Sequence, residues 1–197
     1  RGDVQVSPLE EPDLAQALKS AALCSNARLI QVAPGRRAGR KGARGGRSAG
    51  WGTSGAPAAG QGEYVIQGDP TEGALVVAAQ KGGYRPAVLN DRCPRLLEVP
   101  FESERRRMSV LTGDESGGLA VHVKGAPDVI LELSTHILRD GRVVPLTAED
   151  RQAILEENQR MADEALRVLA VAFRPRPPAV EDGAELTTDQ ASALLER

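Results

Sequence analysis

The sequence predicts an α/β fold of the α+β type, in which a twisted, mainly antiparallel sheet is flanked by helices. Short apolar segments separated by turn residues predict strands, and Asp140-Gly141 between two of them is a strong signal for a two-residue hairpin. Between the strands lie segments with helical spacing and helix-capping residues. The chain has 197 residues, of which 41% are hydrophobic and 3% aromatic, so we expect one domain with a core of aliphatic side chains.

Two helices are predicted in the first half of the chain. The first spans residues 11–26, with an apolar stripe formed by Leu14, Ala17, Leu18, Ala21 and Ala22. The second begins with Asp69 as N-cap and Pro70 at the first helical position, and Glu72 is placed to complete a capping box. Its predicted buried stripe is Leu75, Ala78 and Ala79, and Gly82-Gly83 ends it.

Two more helices are predicted in the second half. A short one spans residues 127–133. A long one is capped by Thr147 and Asp150 and continues through Leu166, with a predicted core face of Ile154, Leu155, Met161, Ala162 and Ala165.

Strands are predicted wherever short apolar runs end in turn residues, at residues 63–67, 96–101, 108–112, 119–124, 137–138, 143–144 and 167–173. In the fourth of these, alternation places Leu119, Val121 and Val123 on one face, and Ala120, His122 and Lys124 on the other.

The domain is expected to span residues 1–178, interrupted by a disordered insert at residues 33–62. That insert consists almost entirely of Gly, Ala, Ser, Arg and Pro, which cannot bury enough apolar surface to offset the entropy of ordering. Residues 179–197 are expected to form a tail. Because the chain begins at Arg1, we expect a piece of a longer protein.

Composition argues against several classes of function. The formal net charge of −2 indicates that any basic patch is local. Cys24 and Cys93 lack the spacing of a metal site and are expected to be reduced thiols, and His122 and His136 have no ligand cluster around them. We therefore assign no metal site. No apolar run approaches the 18 or so residues of a membrane-spanning helix.

Two stretches carry the strongest functional signal. Phe101 lies a few residues before Arg105-Arg106-Arg107, and Lys124 directly precedes Gly125 at the end of a strand. An aromatic ring can stack on a base, cations can meet phosphates, and a glycine lets a ligand approach the backbone. These residues favour a site for a nucleoside triphosphate. Each also has an ordinary explanation, since Phe101 could be a core ring and Lys124 a surface lysine.

Two further residues have both a functional and a structural interpretation. Glu72 could accept a hydrogen bond from an adenine amino group, or it could serve only in the capping box. Arg167 could contact a phosphate or act as a charge at a helix C-terminus.

A separate basic segment supports an alternative function. It contains Arg36, Arg37, Arg40, Lys41, Arg44 and Arg47, with Trp51 nearby, and it has the look of a disordered segment that binds RNA. The alternative is therefore a nucleic-acid-binding or scaffold protein that acts through this segment. Neither of the usual glycine-rich phosphate loops occurs in the chain.

Five blocks, taken together, resemble the nucleotide-binding (N) domain of P-type ATPases, specifically the calcium-pump-like, cation-transporting subgroup. They are ALCSNA at residues 22–27, GDPTEGAL at 68–75, PFESERRRMS at 100–109, KGAPD at 124–128 and RVLAVA at 167–172. They follow the family's order and extend over nearly the whole chain. The resemblance implies a twisted antiparallel sheet flanked by helices, inserted into a separate phosphorylation domain.

The resemblance also implies a role for individual residues. Phe101 matches the ring that stacks on adenine, and Glu72 matches the carboxylate near the base. Positions that line the pocket or face the phosphates are matched by Thr71, Arg106, Met108, Lys124, Gly125 and Arg167. None of these is expected to be catalytic.

The chain departs from the family pattern at three places. Arg106 stands where the family usually has lysine, Asp128 stands where it usually has glutamate, and the insert at 33–62 is longer than expected. The aspartyl-phosphate motif (DKTGT) and the magnesium-holding motif (GDGxND) do not occur in the sequence.

The resemblance therefore implies a domain that binds ATP but does not turn it over alone. We expect Mg²⁺ to be held outside this chain, and we expect the domain itself to be monomeric and to contact neither membrane nor nucleic acid. Its expected partners are ATP and the phosphorylation and actuator domains of the same parent protein. That parent is expected to be an integral membrane enzyme that couples ATP hydrolysis to transport of a cation, Ca²⁺ being the expected ion, with this domain in the cytoplasm.

Overall fold

A computed structural model describes residues 7–8, 10–32 and 63–175 of the chain. The predicted insert at 33–62 and the predicted tail at 179–197 lie outside these residues. The helices and strands, in chain order, are α1 (Pro12–Leu23), β1 (Arg28–Val32), β2 (Glu63–Gln67), α2 (Pro70–Lys81), α3 (Pro86–Arg92), β3 (Arg95–Glu102), β4 (Arg107–Gly113), β5 (Leu119–Gly125), α4 (Pro127–Leu133), β6 (His136–Arg139), β7 (Arg142–Pro145), α5 (Ala148–Asp163) and β8 (Ala170–Pro175).

The central sheet has the order β3-β4-β5-β8, and each neighbouring pair is antiparallel. Strands β1 and β2 form one two-stranded antiparallel sheet, and β6 and β7 form another. The predicted fold class, a mainly antiparallel α+β arrangement with flanking helices, is confirmed. Within the described residues, no helix combines the length and the apolar character needed to cross a bilayer.

The two faces of the central sheet present different sets of side chains, as the alternation in β5 predicts. On one face, Leu111 and Val121 are paired across β4 and β5, and they pack with Leu97, Val99, Leu119 and Val123. On the other face, Met108 and Val110 pack against Cys24, which follows α1. The Nδ1 atom of His122 lies 3.0 Å from the hydroxyl of Ser20 on α1. We call this second side the α1 face.

Helix α2 begins as predicted and buries a different stripe. The Asp69 carboxylate accepts hydrogen bonds from the amides of Thr71 and Glu72, and Pro70 occupies the first turn. The buried residues are Gly73, Val76 and Ala79, whereas Ala78 is exposed and Leu75 is only half-buried. The predicted stripe is confirmed at Ala79 and wrong at Leu75 and Ala78, because the helix lies against β2 through Gly73, where a β-carbon would overlap the side chain of Ile66.

The other helices differ from prediction mainly at their ends. Helix α1 ends at Leu23, before the predicted Asn26, and Leu14 is exposed although a buried position was predicted. Helix α3, of seven residues, was not predicted.

Helix α5 has the predicted capping box of Thr147 and Asp150 but ends at Asp163, short of Leu166. Its predicted core face is largely wrong. Ile154 and Met161 are half-buried, whereas exposed positions are occupied by Leu155, Ala162 and Ala165. The guanidinium of Arg151 instead ties the helix to α4 by donating to the carbonyls of Leu131 and Ser134.

The β6–β7 hairpin has the predicted two-residue turn. Asp140 and Gly141 both have positive φ, 51° and 73°, as a type I′ turn requires. Their amides donate 2.8 Å hydrogen bonds to the two carboxylate oxygens of Asp13 on α1, so this turn is attached to the start of the first helix.

The last strand begins at Ala170, three residues after the predicted start at Arg167. Its first residue pairs with Gly125, the last residue of β5, so the preceding residues have no partner on that strand. Arg167 therefore lies in the segment that leads into the sheet.

Candidate functional site

Lys124 lies on the α1 face, close to the end of β5, with only 7% of its side chain exposed. Its ammonium group is 2.5 Å from Glu72 Oε1 and 3.3 Å from Ser25 Oγ. A buried ammonium is tolerated only when it is paired, and Glu72 provides the pairing charge. The interpretation of Lys124 as a surface lysine is therefore wrong.

Glu72 connects three parts of the chain. Its Oε1 accepts from Lys124, and its Oε2 accepts from the amides of Asn26 and Ala27 at 2.8 and 3.1 Å. The predicted capping box is therefore wrong, since Glu72 does not return to its own helix and Asp69 alone caps α2. The connector between α1 and β1 attracts the carboxylate because it presents two adjacent amides to it.

Met108 and Gly125 lie beside Lys124 in the sheet. Met108 is paired with Lys124 across β4 and β5 and is 1% exposed, in contact with Cys24 and Val110. Gly125 is paired with Arg107, and a β-carbon there would lie 2.5 Å from the carbonyl oxygen of Arg106. The close approach of the β3–β4 turn thus explains why this position is glycine, independently of any ligand.

Phe101 and Arg106 lie where β3 turns into β4. Phe101 is 58% exposed, so it is not a core ring. Arg106 has a φ of 53°, and its two terminal nitrogens donate to the two carboxylate oxygens of Asp128 at 2.7 and 3.0 Å. This hydrogen bonding to Arg106 is the main reason that the pKa of Asp128 is lowered.

Thr71 and Arg167 approach the same end of the sheet from outside it. Thr71 is half-buried in the first turn of α2, and Arg167 is exposed just before β8. The pKa of Asp69 is lowered chiefly by the amide of Glu72, and the positive charge of Arg167 contributes to that shift. Arg167 lies three residues before the start of β8, whose first residue pairs with Gly125.

The predicted site residues lie at one edge of the sheet, because β3 and β5 end there while β4 and β8 begin there. Thr71 and Glu72 are brought there by the contact of Glu72 in α2 with Lys124. We call this region the Lys124 edge. It combines an exposed ring, a buried ammonium and exposed guanidinium groups, which is an arrangement suited to an anionic, aromatic ligand.

The sequence matches a known protein family over most of its length. A family described as P-type ATPase, cytoplasmic domain N, matches residues 53–195. The chain belongs to this family. The family resemblance predicted from the five sequence blocks is thereby confirmed.

Several relatives of this N domain are bacterial transport ATPases. It is 42% identical over 115 residues to a calcium-transporting ATPase of Bacillus subtilis, a match that covers 58% of the chain and 13% of the relative. It is 39% identical over 134 residues to calcium-transporting ATPase 1 of Lactococcus lactis, with 68% and 15% covered. It is 38% identical over 117 residues to the cation-transporting ATPase pma1 of Synechocystis, with 59% and 12% covered. The matched part is thus a small fraction of each relative.

Both cysteines of the N domain are free and buried. Cys24 donates through Sγ to the carbonyl of Met108 at 3.5 Å, and burial raises the pKa of its thiol to about 12. Although Lys124 is close enough to oppose that shift, the thiol stays protonated at neutral pH. Cys24 is therefore a packing residue beside the Lys124 edge.

A cavity of about 710 Å³ lies elsewhere in the N domain, between the sheet, α1, α4 and the β6–β7 hairpin. Its walls are mostly apolar and include Val121, Val123, Ile130, Leu138 and Val171. None of the eight predicted site residues lines it. The Lys124 edge is accordingly separate from this cavity.

A group of polar residues that are hydrogen-bonded to one another next to Lys124 was not identified from the sequence. Ser25, Asn26, Arg95 and Glu98 are linked to one another or to Lys124 by hydrogen bonds. Ser25 and Asn26 belong to the block ALCSNA, which served only as a family marker. A polar pair directly after an apolar helix is the signal that could have identified them.

Proposed function

We propose that this N domain binds ATP at the Lys124 edge and holds it for transfer of the γ-phosphoryl group to an aspartate in another domain of the same protein. The observation that carries the proposal is that a buried ammonium, Lys124, and an exposed ring, Phe101, both lie where β3 and β5 end. In this assignment adenine stacks on Phe101, and Lys124 and Gly125 form the floor of the pocket. Met108 and Thr71 contribute to its wall, and Arg106 and Arg167 meet the phosphates.

Glu72 has a different role in this proposal from the one expected from sequence. Both of its oxygens already accept hydrogen bonds from the protein. We therefore assign it to the orientation of Lys124 rather than to direct recognition of the adenine amino group.

The parent protein is proposed to be an integral membrane, calcium-transporting ATPase with this domain in the cytoplasm, in keeping with the names of the relatives. The phosphorylation and actuator domains of that parent are its proposed partners. Mg²⁺ would be held in the phosphorylation domain. The domain described here supplies binding and orientation, which are the main protein contributions to phosphoryl transfer.

Binding of ATP by the isolated domain should be weak, roughly millimolar, since one stacked base and exposed phosphate contacts leave little net free energy after the cost of association. A ¹⁵N–¹H NMR titration with ATP, and separately with GTP, tests this. We expect ATP-selective shifts at Glu72, Phe101, Lys124 and Arg167, with weaker binding of GTP. No shifts at millimolar ATP in a folded protein would contradict the proposal.

Replacement of the ring supplies the sharper test. Phe101→Ala should weaken ATP binding by about 5- to 100-fold, the equivalent of one stacked base. Leu96→Ala is the matched control, because Leu96 lies on the same strand and is 55% exposed. A folded Phe101→Ala protein with unchanged ATP affinity would refute the assignment.

Deletion of residues 35–62 should leave ATP binding intact, whereas a function in RNA binding would be lost with that segment.

A further inference from the structure

We propose that Arg95 is a positioning residue of the Lys124 edge. It is assigned no contact of its own with the phosphates or the base of a nucleotide. The expected effect of Arg95 on ATP binding rests on the proposed function. Its expected effect on the position of Lys124 rests on geometry alone. The structural link between the two is the connector, residues 24–27, which joins α1 to β1.

The guanidinium of Arg95 forms hydrogen bonds with one side of the connector and with the end of α1. Nη2 donates to the carbonyl of Leu23 at 2.7 Å and to the carbonyl of Ser25 at 3.0 Å. Nη1 donates to the side-chain oxygen of Asn26 and to Glu98 Oε2, the latter at 2.6 Å. The planar guanidinium has enough fixed donors to serve all four acceptors, whereas a lysine has a single ammonium.

An irregularity in β3 makes this arrangement possible. Residues three apart in a regular strand point to opposite faces, so Arg95 and Glu98 would be separated by the sheet. The register with β4 shifts between Arg95 and Leu97, and the two charged side chains meet on the same side. Glu98 Oε1 also accepts from the Asn26 side-chain amide at 2.8 Å. Arg95 and Asn26 are thus held by the same carboxylate.

The opposite side of the connector determines where the Lys124 ammonium lies. The amides of Asn26 and Ala27 hold Glu72, and Glu72 and the hydroxyl of Ser25 hold Lys124. Ser25 is fixed at both ends, because its hydroxyl donates to the carbonyl of Ala21 and its own carbonyl accepts from Arg95. A shift of the connector would therefore change both contacts of Lys124 at once.

The closing experiment compares two arginines that have the same kind of contact. Arg95 donates hydrogen bonds to backbone carbonyls at the end of α1. Arg151 donates hydrogen bonds to backbone carbonyls at the end of α4, away from Lys124. The first readout is the rate at which acetic anhydride modifies Lys124 in the folded protein. That rate is measured by mass spectrometry against the exposed Lys81 in the same sample. The second readout is the Kd for ATP.

Arg95→Gln should raise the relative acetylation rate of Lys124 and increase the Kd for ATP by about 3- to 10-fold, the range expected for coupling through a contact network. Arg151→Gln should lower stability without either effect. Arg95→Lys should fall between wild type and Arg95→Gln, because it keeps the charge but loses the fork. If Arg95→Gln does not fold, Glu98→Gln serves instead, since it removes the carboxylate that orients Arg95 and Asn26.

An unchanged relative rate for Lys124 in Arg95→Gln, or an equal rise in Arg151→Gln, would overturn the inference. Failure of the proposed function gives a different result. In that case wild-type protein would bind no ATP, and the acetylation rates would still decide whether Arg95 positions Lys124.

Discussion

Glu72 and Lys124, 52 residues apart in the chain, form a 2.5 Å ion pair with side chains that are 17% and 7% exposed. The pair joins the first turn of α2 to the end of β5. The second carboxylate oxygen accepts hydrogen bonds from two backbone amides, so both oxygens of Glu72 have partners within the protein. Lys124 is thus oriented by the protein itself, in the absence of any ligand.

Glu72→Gln should lower the free energy of unfolding by about 2–4 kcal/mol, because it leaves the buried ammonium of Lys124 without its counter-charge. Urea denaturation measures the loss. Glu132→Gln, at an exposed position of α4, is the control and should change stability little. The double variant Glu72→Gln/Lys124→Met should be more stable than Glu72→Gln alone. A double variant less stable than Glu72→Gln would show that the unpaired charge is not the cause.

Gly125→Ala should lower the free energy of unfolding by roughly 1–3 kcal/mol, because the added methyl group overlaps the backbone of the β3–β4 turn. The contacts are at 2.5 Å to the Arg106 carbonyl oxygen and 2.9 Å to Arg107 Cα. Gly113→Ala meets only the ring of Pro94, at 3.2 Å, and should cost less. Thermal unfolding of both variants provides the comparison. Equal losses in the two variants would mean that the turn can move aside.

Asp128→Asn should strengthen ATP binding by about 2- to 3-fold at low ionic strength, if Arg106 meets the phosphates as proposed, because it releases the guanidinium from its exposed ion pair. The two residues of this pair stand at two of the three places where the sequence departs from the family pattern, and they contact each other. Calorimetric titration with ATP measures the effect, and Asp128→Glu, which keeps the charge, is the control. Weaker binding by Asp128→Asn would show that the pair holds Arg106 in its productive position.

The stability of the domain should fall as the pH is lowered from about 6.5 to about 4, partly because of His122. Burial, and then the charge of Lys19, lower the pKa of His122 to about 4. In that pH window the unfolded chain binds a proton that the folded protein does not, so protonation favours unfolding. The contribution is at most roughly 3 kcal/mol.

His122→Gln should flatten the pH dependence of the unfolding free energy between pH 6.5 and 4. His136→Gln is the matched control, because His136 is exposed and the chain has only these two histidines. Urea denaturation at several pH values measures the slope. The same slope in wild type and His122→Gln would show that other groups are responsible.

Local patterns predicted the parts of the fold that depend on near neighbours. The alternation in β5 correctly separated Leu119, Val121 and Val123 from Ala120, His122 and Lys124. The positive φ angles at Asp140 and Gly141 followed from the turn residues themselves. The errors lie where a neighbouring element decides, as with the buried stripe of α2, which is set by contact between Gly73 and Ile66.

Residue type and spacing were enough to predict the strand alternation, the Asp69 and Thr147 caps, the Asp140-Gly141 hairpin and the family. These depend on residue type and spacing along the chain, which are properties of the sequence. The pairing of Glu72 with Lys124, the pairing of Arg106 with Asp128 and the contacts of Arg95 with the connector depend instead on how the elements pack. Such partners are chosen by which charged groups become buried together when the elements pack, and no local period records that choice.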